Sequence, residues 1–128
     1  MAANHIALRV FVVVGAAVPV AGGLWGAIGG LDGTAAWSTS SHYRYLSGLL
    51  LAIGLGFWST VAQIERQTHR FRLLTAIVFL GGLCRLFGVL AGDPLTSPVA
   101  EALAMELLVA PLACLWQNRV SVTRRGTP

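Results

Sequence analysis

Four long apolar runs separated by short polar segments dominate the pattern of this chain. Each run is close to the roughly 20 residues that an α-helix needs to cross a bilayer. The runs cover residues 6–31, 42–64, 73–92 and 99–118, with polar connections at 32–41, 65–72 and 93–98. Short connections between long helices make consecutive helices antiparallel. The pattern predicts a single-domain, all-α integral membrane protein, a four-transmembrane-helix bundle with up-down-up-down order, followed by a short tail at 119–128.

The composition supports this prediction. The chain has 128 residues, of which 55% are hydrophobic and 11% charged, and its mean hydropathy is +0.72. A soluble domain carries about 25% charged residues, so a soluble, disordered or disulfide-stapled domain is excluded. The first run is longer than the 7–15 apolar residues of a signal peptide. We therefore expect it to be retained as the first span.

The arginines indicate the orientation. The chain has nine arginines and no lysine, and its net charge is +4. Seven of the nine lie at the N-terminus, in the second connection or at the C-terminus: Arg9, Arg66, Arg70, Arg72, Arg119, Arg124 and Arg125. The positive-inside rule then predicts that both termini are cytoplasmic. No basic stripe interleaved with aromatic residues is present, so no nucleic-acid partner is expected.

Small residues and prolines predict where the helices pack. Glycines at four-residue spacing allow close helix approach, which favours packing inside the bundle or, alternatively, a homodimer or a partner membrane helix. This spacing relates Gly22, Gly26 and Gly30 on the first span and Gly88 and Gly92 on the third, and the adjacent Gly81 and Gly82 are also expected to pack. Pro19 and Pro111 lie inside spans and lack the amide hydrogen of a regular helical bond. Each is expected to kink its helix.

Two charges inside the spans carry the main hypothesis about a site. At 1.5 Å per residue, Arg85 and Glu106 each lie about 10–12 Å below the outer ends of consecutive antiparallel helices. An isolated charge in hydrocarbon costs about 2.5–3.5 kcal/mol on insertion scales. Pairing is the least costly arrangement, so we predict an Arg85–Glu106 ion pair. The pair either fixes the order and register of the helices or forms part of a binding site.

A second polar layer is predicted nearer the outer surface. It comprises Asp32, His42, Arg44, Asp93 and Glu101. Arg44 is expected to reach Glu101 or Asp32. The candidate polar site, an outward-opening pocket between spans two, three and four, therefore consists of Arg85, Glu106, Arg44, Glu101 and His42. No metal site is predicted, because the other histidines lie near the opposite ends of the spans, and no cofactor is predicted.

No catalytic motif supports an enzymatic function. The chain has no phosphate-binding loop, nucleophile elbow or Cys-x-x-Cys motif. The favoured interpretation is a binding or accessory membrane component whose ligand is a lipid headgroup, a small hydrophobic quinone-like molecule or a partner helix. One alternative is a membrane-embedded enzyme, with Glu106 or Glu101 as general acid or base and Arg85 or Arg44 holding an anionic group. Another is a small transporter that dimerises through the face of Gly22, Gly26 and Gly30.

Several segments together resemble a known family. They are His42-Tyr43-Arg44-Tyr45-Leu46-Ser47-Gly48, Gly81-Gly82-Leu83-Cys84-Arg85-Leu86, Gly92-Asp93-Pro94, and Glu106-Leu107-Leu108 followed by Pro111. The chain resembles a bacterial family of small four-helix membrane proteins that is known only as a domain of unknown function. The resemblance implies a four-helix fold and an inner-membrane location, and it carries no activity. In size and layout the chain is also similar to DoxX-like membrane proteins, at the level of fold alone.

Overall fold

The fold consists of helices throughout the part of the chain that the structure describes. This computed structural model describes the backbone of residues 2–30 and 37–125 and the side chains of 4–30 and 39–122. Its elements are α1 (Ala2–Gly29), α2 (Trp37–Val61), α3 (Thr68–Leu90), α4 (Ser97–Ala104), a π-helical turn (Met105–Val109) and α5 (Ala110–Arg125). Because the π-helical turn joins α4 directly to α5, these three elements form one continuous helix.

Four helical stretches among the described residues are long and apolar enough to cross a membrane. They are Asn4–Gly29, Thr39–Val61, Thr68–Leu90 and Ser97–Val122, with mean hydropathies of 2.0, 1.2, 2.2 and 1.7. The predicted all-α, four-span character is therefore confirmed. The up-down-up-down order and the side of the termini stay predictions.

Some helix boundaries differ from the predicted spans. α3 begins at Thr68, five residues before the predicted start at residue 73, and α2 ends at Val61 rather than at 64. The amides of Arg66 and Gln67 both donate to the Gln63 carbonyl, at 2.9 and 3.1 Å, and form the turn between these helices. Hydropathy marks the part of a helix that matches hydrocarbon, whereas helical hydrogen bonding continues through polar residues at the membrane boundary. The apolar run and the helix therefore end at different residues.

The chain divides into two compact units, which are described separately. The α1–α2 unit is Arg9–Ala62, and the α3–α5 unit is Gln63–Pro128 together with Met1–Leu8. In the α1–α2 unit, Arg9 Nη2 donates to the Ala62 carbonyl (3.3 Å) and Trp58 Nε1 donates to the Val13 carbonyl (3.0 Å). The start of α1 thus lies against the end of α2, so this helix pair is antiparallel.

Close packing of α1 on α2 occurs at glycines that only partly match the predicted set. A Cβ atom on Gly23 would lie 2.5 Å from the Leu51 amide nitrogen, and one on Gly26 would overlap the Ser47 side chain. A Cβ on Gly22 would meet no atom within 4 Å. Within this unit, Gly22 therefore makes no close contact between the helices. Exact four-residue spacing drifts around a helix of 3.6 residues per turn, and the packed face follows Gly23 and Gly26 instead.

Many large apolar side chains point away from the rest of the chain. Trp25 is 81% exposed and Leu90 is 77% exposed, and both lie within candidate spans. Soluble monomers rarely present apolar surface on this scale. The outward apolar faces are those expected of helices that are surrounded by lipid.

Candidate functional site

The centre of the candidate site is an ion pair between α3 and the π-helical turn. Arg85 Nε donates to Glu106 Oε2 over 3.0 Å, and Arg85 Nη2 donates to Glu106 Oε1 over 3.1 Å. Both carboxylate oxygens are thus engaged by one guanidinium, which is the strong bidentate form of this interaction. The structure contains the ion pair that the matching depths of Arg85 and Glu106 predicted.

The π-helical turn that carries Glu106 lies directly before Pro111. Its cap is a hydrogen bond from the Ala110 amide to the carbonyl of Met105, five residues back. Pro111 has no amide hydrogen, so it cannot make the usual bond to the Leu107 carbonyl, and its ring crowds that carbonyl. Local π geometry is one way in which membrane helices accommodate a proline. The irregularity expected at Pro111 therefore takes the form of a π-helical turn, and Glu106 lies within it.

Gly82 allows α3 to approach this turn closely. A Cβ on Gly82 would lie 2.8 Å from Glu106 Cβ and 2.8 Å from Leu107 Cδ2, closer than real Cβ atoms come to other atoms. Gly82 is buried, whereas Gly81 is exposed and a Cβ there would meet no atom within 4 Å. Close packing within this unit therefore occurs at Gly82 and not at Gly81. Gly82 thus permits the close approach of α3 to the side chains of Glu106 and Leu107.

The ion pair is only partly covered by the rest of the chain. The side chain of Arg85 is 42% exposed and that of Glu106 is 20% exposed. Arg85 bonds through Nε and Nη2, and its Nη1 has no partner among the residues that the structure describes. An arginine nitrogen only donates hydrogen bonds. One side of the pair therefore presents a donor outward from α3.

Glu101 is the other acidic candidate on this unit. It lies on α4 and is exposed. It makes no hydrogen bond or ion pair with any described residue of the α3–α5 unit. No group of three or more His, Cys, Asp or Glu side chains within the described ranges is placed to hold a metal ion. Cys84 and Cys114 are both free thiols.

Arg44 has a different set of partners from the predicted one. Its Nη1 donates to the carbonyls of Ala27 (2.9 Å) and Ile28 (2.6 Å), and its Nη2 donates to the carbonyl of Gly29 (3.4 Å). The last four carbonyls of a helix lack intrahelical donors and carry the negative end of the helix dipole. The α1–α2 unit thus places Arg44 as a cap on the C-terminus of α1. Of the two expected acids, Asp32 lies outside the described residues.

Gly30 belongs to this cap and not to a helix-packing stripe. Its φ is +67°, and its amide donates to the Gly26 carbonyl over 3.0 Å, which is the αL form of helix termination. A Cβ on Gly30 would lie 2.7 Å from Arg44 Nη2. The glycine therefore ends α1 and leaves room for the arginine that caps it.

Gly88 and Gly92 also end a helix. The Gly92 amide donates to the Val89 carbonyl (3.1 Å), and the Asp93 amide donates to the Gly88 carbonyl (3.0 Å). With φ of +117° at Gly92, this is a Schellman motif. A Cβ on Gly92 would meet nothing within 4 Å, so within this unit Gly92 ends the helix and makes no close contact with another helix.

His42 lies near the start of α2. Its ring is 6.4 Å from the ring of Tyr45, centroid to centroid, at an interplanar angle of 41°. Both side chains are exposed. Within the α1–α2 unit, His42 therefore makes an aromatic contact with Tyr45.

A comparison with protein-family models places the chain. The family described as Domain of unknown function (DUF4345) matches residues 7–117. The chain belongs to the DUF4345 family. No curated protein and no solved structure matches it. The predicted membership in a family of unknown function is confirmed, while the bacterial origin and the similarity to DoxX-like proteins stay predictions.

The matched part of this DUF4345 chain also contains a polar cluster that sequence reasoning missed. Gln117 is completely buried, and its Nε2 donates to the Ile64 carbonyl (2.7 Å) and to Thr68 Oγ1 (2.9 Å). One turn away, Arg72 Nε donates to Asn118 Oδ1 over 3.0 Å. These contacts join α5 to the start of α3, far along both helices from Glu106. The signal in the sequence is a glutamine followed by an asparagine at the polar end of the last span.

Proposed function

We propose that this DUF4345 protein is a binding or accessory component of the membrane and that the Arg85–Glu106 pair is the polar part of its recognition site. The ligand class comprises lipid headgroups, small hydrophobic quinone-like molecules and partner helices. We further propose an inner-membrane location in a bacterial cell with both termini cytoplasmic. The location is implied by the family resemblance, and the orientation is supported by the seven arginines at the N-terminus, in the second connection and at the C-terminus.

The observation that carries this proposal is the exposure of the ion pair. Arg85 lies five residues before the end of α3 at Leu90, which is about 8 Å along the helix axis. A pair that served only to join two helices has no need for a side chain that is 42% exposed. An uncovered guanidinium at this depth is costly unless a polar group outside the chain reaches it or the side chain extends to the interface. A bound molecule or a partner helix supplies such a group.

Thermal unfolding in detergent tests the proposal. We expect a panel of lipids and quinones to contain at least one compound that raises the Tm of the wild type, because a ligand at 100 times its Kd stabilises by about 2.7 kcal/mol. Arg85→Met and Glu106→Gln should abolish that shift. The matched control is Arg72→Gln, which removes another paired arginine from α3 and should keep the shift.

The same variants distinguish a binding site from an ion pair that only holds the helices together. Arg85→Met, Glu106→Gln and the double variant form a cycle that measures the coupling between the two side chains. Strong coupling with no response to any ligand would mean that the pair only fixes the packing of α3 on the π-helical turn. In that case the proposed binding function is wrong.

A homodimer is the second partner proposal, and the structure narrows the surface that it would use. Within the α1–α2 unit, Cβ atoms on Gly26 and Gly30 would meet Ser47 and Arg44, whereas Gly22 faces open space. Of the three predicted glycines, only Gly22 therefore lies open on this unit. A monomeric mass in mild detergent would contradict the dimer and the transporter hypothesis that depends on it.

A further inference from the structure

The chemistry of the Arg85–Glu106 pair narrows its ligand to one class. Resting on the binding function proposed above, we propose that the pair binds an uncharged amphiphile through a carbonyl oxygen, with Arg85 Nη1 as the hydrogen-bond donor. Ester carbonyls of membrane lipids and ring carbonyls of quinones both present this chemistry.

The charge around the pair argues against an anionic ligand. Arg85 and Glu106 neutralise each other through two hydrogen bonds. The only other charged residues between positions 80 and 110 are Asp93 and Glu101, both acidic, so this segment carries a net charge of −2. Phosphate and carboxylate groups are attracted to sites with uncompensated positive charge. This segment has none, so a headgroup anion gains nothing from it.

The unused donor of the ion pair, Arg85 Nη1, calls for a hydrogen-bond acceptor on the ligand. Nη1 carries two hydrogens and has no partner within the described part of the chain. Because a guanidinium offers donors only, the complementary group must be an oxygen with a free lone pair. Among uncharged groups in a bilayer, carbonyl oxygens fulfil this requirement, and they lie near the boundary between headgroups and hydrocarbon, within reach of a long arginine side chain.

The surface of α3 next to Arg85 accommodates an apolar body. Gly81 lies one turn from Arg85, and a Cβ placed on it would meet no atom within 4 Å. Ile77, one turn before Gly81 on the same face of α3, is 45% exposed, and Cys84 beside Arg85 is also exposed. A ring or acyl chain that packs over Gly81 would therefore contact apolar surface while its carbonyl oxygen meets Nη1. This combination of one donor and an apolar shelf fits an amphiphile better than a water-soluble molecule.

The test uses the full-length chain in detergent and compares probes that differ in one feature. Ester-linked and ether-linked phosphatidylcholine share a headgroup, but only the first has carbonyl groups. Decylubiquinone provides ring carbonyls, and phosphatidylglycerol provides an anion. We expect the Tm of the wild type to respond to the ester lipid or the quinone with an apparent affinity about threefold to tenfold above that for the ether lipid, the ratio expected for one hydrogen bond. The responding probe identifies the source of the carbonyl.

Two variants make the result specific. Glu106→Gln releases the charge of Arg85, so its preference should change from the carbonyl probe to phosphatidylglycerol, in a salt-dependent manner. Gly81→Leu should occupy the apolar surface next to Arg85 and weaken the response to the carbonyl probe at least threefold, without lowering the Tm measured in the absence of ligand. This second variant keeps the test valid if Glu106→Gln does not fold.

Three outcomes would overturn the inference. Equal affinity for ester and ether lipids, with no response to the quinone, would show that no carbonyl is recognised. Tightest binding of phosphatidylglycerol by the wild type would show an anion site and would leave the general binding function intact. No response to any probe would contradict both the inference and the binding function.

Discussion

Gly82→Ala is the change that tests most directly how α3 supports the ion pair. The added methyl group would lie 2.8 Å from Glu106 Cβ and from Leu107 Cδ2. The leucine side chain has freedom to rotate, but Glu106 Cβ is fixed to the backbone of the π-helical turn. Overpacking of this kind costs typically 1–3 kcal/mol, and alanine recovers up to about 1 kcal/mol through its better helix propensity. We expect a net loss of about 1–2 kcal/mol in the free energy of unfolding.

The adjacent glycine provides the control. Gly81→Ala raises the helix propensity by the same amount, but its methyl group meets no atom within 4 Å. We therefore expect the free energy of unfolding to stay the same or to rise by up to about 1 kcal/mol. Both variants are compared by reversible unfolding in detergent, each with and without Glu106→Gln. The loss at Gly82 should persist with glutamine at position 106, because glutamine keeps the Cβ atom. Equal effects at positions 81 and 82 would refute the close approach of α3 to the turn.

Three further substitutions test the helix ends and the buried glutamine. Gly92→Ala should lower the free energy of unfolding by about 1–2 kcal/mol, because alanine is strained at positive φ. Gly92→Asn should lower it less, since asparagine tolerates positive φ better. An unchanged free energy of unfolding in Gly92→Ala would contradict the Schellman geometry. Arg44→Lys should destabilise the α1–α2 unit by roughly 1 kcal/mol, because a lysine ammonium cannot reproduce the hydrogen bonds that the guanidinium donates to three carbonyls. Faster amide hydrogen exchange at the end of α1 would show this loss. Gln117→Met should cost about 1–3 kcal/mol by leaving the Ile64 carbonyl without its donor, whereas Gln63→Met, at an exposed side chain, should change thermal stability little.

The spans were predictable because bilayer thickness imposes a length on each apolar run. The Arg85–Glu106 pair was predictable for a related reason. In hydrocarbon a charge has few partners available, so equal depth on consecutive helices was sufficient to match these two residues. In water, each charged side chain could instead have been solvated or paired with many other groups. The membrane thus simplifies the inference from sequence to contact for charged groups.

The partners of Arg44 and the packed glycines were not predictable from residue types. The acceptors of Arg44 are main-chain carbonyls at the end of α1, and every residue has such a carbonyl. They become distinctive only where a helix ends, and that end depends on the positive φ of Gly30. Likewise, Gly22 and Gly23 are adjacent in sequence but face directions about 100° apart. Only the position of α2 decides which one is packed.

The π-helical turn connects the predicted irregularity at Pro111 with the predicted ion pair. A single extra residue in one turn offsets the side chains before it by about 100° relative to a continuous α-helix. Glu106 lies within this offset segment, so the direction of its carboxylate depends on Pro111 five residues later. Gly82 then removes the one side chain that would prevent α3 from meeting the turn. The proline sets the direction, the glycine sets the distance, and the bidentate contact with Arg85 requires both. Residues that the sequence offered as separate packing features therefore build one site.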